Sequence, residues 1–85
     1  MKHILWFKTV QCMVRVYDTE TDIVGEKVFM VTTHHNKTNK ILVRFGTRQQ
    51  LYSLLKPYQY STTENKSDYE WFMNRLSSEK ALFKL

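Results

Sequence analysis

Residues 10 to 17, VQCMVRVY, carry an apolar side chain at every second position. Val10, Cys12, Val14 and Val16 fall on one side and Gln11, Met13, Arg15 and Tyr17 on the other. Period two belongs to a strand with one face on a core and the other toward water. A chain built around it must form a sheet with two unlike faces.

Three further segments rich in β-branched and aromatic residues read as strands: residues 2 to 8, 27 to 33 and 40 to 45. DTETDIVG, with its acidic, Thr-rich start and Gly25, reads as the turn from the second strand to the third. TTHHNKTNK, residues 32 to 40, reads as the next hairpin loop, with Asn36 and Asn39 shaping the turn and Lys37 at its tip. After Gly46 the period changes. Thr47 with Gln50 forms a capping-box pattern ahead of a helix from about 48 to 56, which Pro57 stops. YQYSTTENK reads as a polar connection. A second capping-box pattern, Ser67 with Glu70, precedes a helix whose Tyr69, Phe72, Met73 and Leu76 share one stripe, with Trp71 off it. The last residues, EKALFKL, either extend that helix or add a short segment.

The expected fold is therefore α+β: a four-stranded antiparallel meander followed by two helices packed on one face. The other face is left open. At 85 residues the chain is one domain, residues 1–85, and buries only about 60–65% of the surface its unfolded form exposes. A hydrophobic fraction of 42% suffices for one core. Cys12, the only cysteine, excludes an intrachain disulfide and falls on the apolar side of its strand, so it reads as a buried structural thiol in a reducing cytoplasm. The apolar run Ile4 to Phe7 is too short for a signal-peptide core or a membrane span, and the chain is expected to be soluble.

Thirteen Lys and Arg against eight Asp and Glu give a net charge of +5, unevenly spread. No acidic residue lies between Glu26 and Glu64, an interval holding Lys27, Lys37, Lys40, Arg44, Arg48 and Lys56. Such a field attracts polyanions. Arg15 and Tyr17 share one face of the second strand, Lys27 and Phe29 one face of the third, and Lys40, Leu42 and Arg44 one face of the fourth. If these faces coincide, cations interleave with aromatic surface, the arrangement that holds single-stranded RNA through phosphates and stacked bases. In the other register Phe29 and Val31 face the core and Val28 and Met30 face out. Tyr58 and Tyr60, near Lys56, are further candidates for base stacking. The competing reading of this face is contact with a second copy of the chain, giving a homodimer.

Catalytic and metal chemistry find less support. Adjacent His34 and His35 point to opposite sides of a strand and have no third ligand nearby, so no metal and no cofactor are expected. Asp18, Glu20 and Asp22 lack the glycine and distal glutamate of a calcium loop and read as a solvated turn. A small toxin-like endoribonuclease using His3, His34 or His35 as acid and base is the enzymatic alternative. No spacing brings those histidines opposite one another.

The acid-free stretch KVFMVTTHHNKTNKILVRFGTRQQLYSLLKPYQYSTT, in a short, basic chain without an enzyme motif, resembles the TifA-type counter-defence proteins of T-even bacteriophages. The resemblance implies a non-enzymatic, RNA-binding inhibitor of a toxin endoribonuclease from a toxin-antitoxin defence system, acting in the host cytoplasm. It transfers no residue roles. The alternative is an inhibitor that docks its basic face directly on an acidic protein without RNA.

Overall fold

The alternating apolar positions build an antiparallel sheet. The computed structural model of the chain describes residues 1–83, with β1 (Lys2–Thr9), β2 (Cys12–Ile23), β3 (Glu26–His35), β4 (Ile41–Thr47), α1 (Arg48–Leu55), a 3-10 turn over Lys56–Tyr58, β5 (Thr62–Glu64) and α2 (Lys66–Phe83). The spatial order is β4-β3-β2-β1-β5. The first four strands form the expected meander, and the helices pack against the sheet.

Phe7 pairs with Val14, Leu5 with Val16, and Val16 with Val31, which puts these side chains on one face. Beneath the helices they meet Leu51, Leu55, Tyr69 and Leu76 to form the core. A bulge between His3 and Leu5 lets both Ile4 and Leu5 pack toward that core. The stripe read for the second helix is realised: Tyr69 and Leu76 are buried, Phe72 and Met73 flank them, and Trp71 stays out at 62% exposure. Cys12 is buried beside the Thr9 hydroxyl, with Sγ and Oγ1 3.2 Å apart.

Several boundaries differ from expectation. Val10 is not on the apolar face. It sits in the β1 to β2 turn and is exposed, because the Thr9 hydroxyl accepts the amides of Gln11 and Cys12 and so turns the chain there. DTETDI is not a turn either: β2 continues to Ile23 through a bulge between Asp18 and Asp22, and the reversal is confined to Val24 and Gly25. Both have positive φ, 52° and 76°, the type I′ pattern that matches strand twist. The polar connection supplies the unexpected β5, which pairs with the end of β1 at Lys8 and Thr9.

At the first helix the Gln50 side chain accepts the Thr47 amide at 2.9 Å, completing the expected capping box. Gly46 lets α1 approach closely here, since an added Cβ would lie 3.0 Å from the Gln50 Cβ, tighter than an ordinary contact. The second capping box does not form as read. Asn65, with φ of 60°, takes the capping position instead: its carbonyl accepts the Tyr69 amide, and its side chain donates to the Trp6 carbonyl at 2.7 Å. Ser67 therefore lies inside α2, while Glu70 pairs loosely with Lys66 at 4.0 Å. Among the described residues no helix is long and apolar enough to cross a membrane. Of the final segment, the backbone extends α2 to Phe83, and the remainder lies outside the described residues.

Val24 is β-branched and almost wholly exposed, so its left-handed backbone carries a steric cost without compensating burial. Val24→Asn is expected to stabilise the domain by about 1 kcal/mol, or roughly 4–8 °C in Tm, measured by thermal unfolding. Tyr69 is buried, and its hydroxyl donates to the Leu55 carbonyl at 2.7 Å. Burial, aided by Tyr52 and Tyr58, pushes its pKa up to about 12 from 10.0. Between those values the unfolded chain has lost the phenolic proton and the folded chain keeps it. The stabilisation is thus complete below pH ~10 and is lost as pH rises toward 12. Tyr69→Phe should cost about 1–2 kcal/mol at neutral pH by stranding the Leu55 carbonyl. In denaturant melts at increasing pH it should also flatten that alkaline decline.

Candidate nucleic-acid interface

The side of the sheet opposite the helices is organised by register. Three cross-strand rows lie on it. His3, Tyr17, Met30 and Phe45 form one; Trp6, Arg15, Thr32 and Val43 the next; and Lys8, Met13, His34 and Ile41 the third. Neighbouring strands are spaced about 4.8 Å apart, so each row is a continuous strip of side chains. His3 and Tyr17 touch edge to face, with ring centroids 5.2 Å apart. Trp6, Met13, Tyr17 and Met30 are half-buried, shielded by their neighbours. Phe45 and Val43, on the edge strand, are 62% and 46% exposed.

Arg15 occupies the middle row beside Trp6, with Tyr17 and Met13 two residues away along β2 on the same face. No carboxylate belongs to the first two of these rows, and the third is continued on β5 by Glu64, the register partner of Lys8. Glu64 of β5 stands at the margin, where it pairs with Lys8 at 3.6 Å. Flat rings around a guanidinium, on a pleated surface open to solvent, can accept splayed bases while the cation meets a phosphate.

The coincidence of faces considered from the sequence is only partly realised. Arg15 and Tyr17 do share the open face. Phe29 does not: with Val31 it turns into the core, and Met30 comes out in its place. Leu42 and Arg44 pair with Thr33 and Val31 on the helix side of β4, so Arg44 lies across the sheet from Arg15. Lys27 donates to Asp18 at 2.9 Å. That hydrogen bond, then the Glu20 amide, holds the Asp18 carboxyl below its ordinary range, and the same hydrogen bond raises the Lys27 pKa. Arg48 lies over the Phe29 ring at 5.4 Å, and Lys56 over the Tyr52 ring at 5.8 Å.

Lys37 sits at the tip of the β3 to β4 hairpin, and Lys40 just before β4, both exposed. Of the cations of the acid-free interval, Lys37, Lys40 and Arg44 thus follow the β4 side of the molecule. They do not converge on the open face, and Lys27 and Lys37 are at opposite ends of β3, roughly 30 Å apart. Of the other stacking candidates, Tyr58 packs edge-on against Phe7 at 5.5 Å and belongs to the core periphery. Tyr60 is 94% exposed, in the turn before β5.

The histidine loop is a hairpin closed by its own groups. The His35 amide donates to the Lys40 carbonyl at 2.9 Å, and Asn39 takes a left-handed φ of 56°. Asn36 ties the hairpin base to the β1 to β2 turn, through its amide to the Gln11 carbonyl and its side chain to the Val10 carbonyl. His34 faces the open side, with Nε2 3.3 Å from Asn39 Oδ1. His35 alternates to the other side, and its Nδ1 accepts the Thr38 amide at 3.4 Å. His3 shares the open face with His34 but is two strands and four residues away, roughly 16 Å. That separation is too long for an acid and a base on one phosphodiester. Among the described residues no three metal-ligating side chains gather.

Trp6, Val43 and Phe45 are the surface residues that sequence reasoning did not single out, whereas Met30 was named as outward-facing in the alternative register of the third strand. The strand parity of residues 2 to 8 and the alternative register of the third strand were the signals that point to them. Comparison with family models, curated proteins and solved structures found no match.

Proposed function

We propose that this protein binds single-stranded RNA on the open face of its sheet. Through that RNA it acts as a non-enzymatic inhibitor of a toxin endoribonuclease in the host cytoplasm, as the phage-protein resemblance implies. The observation that carries the RNA reading is the first two rows, where Trp6, Tyr17 and Phe45 surround Arg15 and no carboxylate stands in register. Bases stack on the rings and phosphates reach Arg15. The strand leaves the face along the β4 margin past Lys37, Lys40 and Arg44, none of which forms an ion pair among the described residues. The second reading, direct docking on an acidic protein, draws on that same basic margin: β4 is an edge strand with free pairing groups and apolar side chains exposed along it.

Binding of a labelled single-stranded RNA should fall by roughly fiftyfold between about 50 and 200 mM salt, as expected for four phosphate contacts at a slope near −0.7 each. Tyr17→Ala and Phe45→Ala should each weaken it by about 1–3 kcal/mol while the domain stays folded. Unchanged affinity in the folded double variant would remove the open face as the site. For the partner, ribonuclease digestion of the isolated complex decides between the readings. Dissociation means that RNA bridges the two proteins, and persistence means that they touch directly.

A further inference from the structure

β4 ends the sheet on its side, and its residues from Ile41 to Phe45 are exposed on both faces. The other strand pairs are each interrupted by a bulge, whereas β3 and β4 keep unbroken register from Val28 and Thr47 to His34 and Ile41. The strand contains no proline. Natural edges are commonly blunted by bulges or proline, and a regular one is a template for a further strand.

The pairing phase decides which backbone groups face out. The His35 amide donates to the Lys40 carbonyl at 2.9 Å, so these opposed residues are a hydrogen-bonded pair. Alternation then turns the N–H and C=O of Leu42 and Arg44 toward β3, and those of Ile41, Val43 and Phe45 outward. Thr47 is the next residue in the outward phase, and its amide is taken by the Gln50 side chain at 2.9 Å. The helix cap thus closes the edge at one end and leaves Ile41 to Phe45 open. Beside Phe45 a groove of about 450 Å³, lined by Gln49, Gln50, Ser53 and Leu54, lies between the edge and α1 and can take a side chain of an added strand.

Side chains select the occupant. A strand laid on this edge puts alternate residues beside Ile41, Val43 and Phe45 on the open face, and the others beside Leu42 and Arg44 on the opposite face. Apolar residues suit the first set. Carboxylates suit the second, where Arg44 stands within β4, Lys40 just before it and Lys37 at the hairpin tip. None of these three cations forms an ion pair among the described residues, and the segment from Asn36 to Thr47 has no acidic side chain. Pairing with the β4 of a second copy would set the cations against their own kind. We propose that the β4 edge takes up an extended acidic segment of a partner protein as an added strand, with carboxylates alternating with apolar residues. The proposal rests on the direct-docking reading above for the acidity of the partner and adds how that partner is held; it does not draw on the RNA reading.

The probe is a capped peptide of about eight residues alternating valine with glutamate, added to the whole isotope-labelled chain. Amide exchange followed by NMR should slow roughly tenfold at Ile41, Val43 and Phe45, which gain partners, and stay unchanged at Leu42 and Arg44, whose partners are on β3. A peptide alternating valine with lysine, or the glutamate peptide N-methylated at its valines, should give no such slowing. Val43→Pro removes an outward N–H at no cost in bonds to β3, and should abolish the slowing at Ile41 and Phe45 in a folded chain. Arg44→Glu should weaken peptide binding roughly tenfold. The N-methylated peptide makes the same test without altering the protein. Binding of the acidic peptide without slowing at Ile41, Val43 and Phe45 would overturn strand addition and leave acidic docking in place, whereas no binding at all would remove both. Equal slowing by the lysine peptide would overturn the acidic partner. Protection of the same amides in the free chain, with a dimer in sedimentation, would assign the edge to a second copy and overturn the proposal as well.

Discussion

Burial of Tyr69 against Phe7 is the contact on which the two layers depend. The rings meet at 4.7 Å, and the Tyr69 hydroxyl reaches past the core to the last carbonyl of α1, so one side chain joins sheet, first helix and second helix. A domain of this size has apolar surface for one interface between layers and no more. Both helices are committed to the same face of the sheet because Val14, Val16, Phe29 and Val31 lie there. The opposite face is bare as a direct consequence. The surface most open to a ligand is thus the complement of the core and follows from the same alternation.

The edges of the sheet show how the chain manages what the core cannot cover. On one side β5 and the start of α2 protect part of β1, with Asn65 bonded to the Trp6 carbonyl and Thr63 to the Lys8 carbonyl. On the other side β4 is a true edge, and ILVRFGT combines strong strand propensity with exposed apolar side chains. Such an edge invites pairing with another chain. Lys37 and Lys40 before it, Arg44 within it and Arg48 after it put positive charge along its length, which discourages pairing between like copies while leaving the edge attractive to anions.

How much of this could be read from the sequence varies with the range of the interaction involved. Strand alternation, the Thr47 and Gln50 cap and the Tyr69 stripe are local patterns, and each appears in the fold. The misreadings arise where a tertiary bond outranks a local motif. Ser67 and Glu70 match a capping box, yet Asn65 caps α2 because its side chain also satisfies the Trp6 carbonyl on β1. Acidic, Thr-rich DTETDI looks like a loop, but pairing of Asp22 and Ile23 with Lys27 and Glu26 keeps it extended. Whether Phe29 or Met30 faces outward depends on a one-residue choice of register, and the sequence of β3 is apolar at both parities. Arg15 and Tyr17 were legible because β2 alternates strictly. Arg44 could be grouped with them only on the condition that the strand faces coincide, because nothing within β4 reports its phase.

The open face is apolar enough for a second copy of the chain as well as for bases, and charge separates these occupants. A two-fold contact is self-complementary, so it sets each cation of the patch against a patch of the same sign. Arg15 stands among half-buried neighbours, where a like charge is poorly screened, and each copy carries a net charge of +5. A dry interface would also have to pair both Arg15 guanidiniums with carboxylates, and neither the Arg15 row, with Trp6, nor the adjoining Tyr17 row contains one. A single-stranded polyanion brings the opposite charge with every residue and needs no self-complementarity. In the proposed reading its bases stack on Trp6, Tyr17 and Phe45 without demanding a fixed partner side chain at each position. The sign of the charge at the centre of the patch therefore favours nucleic acid over self-association, even though the apolar area is equally available to both.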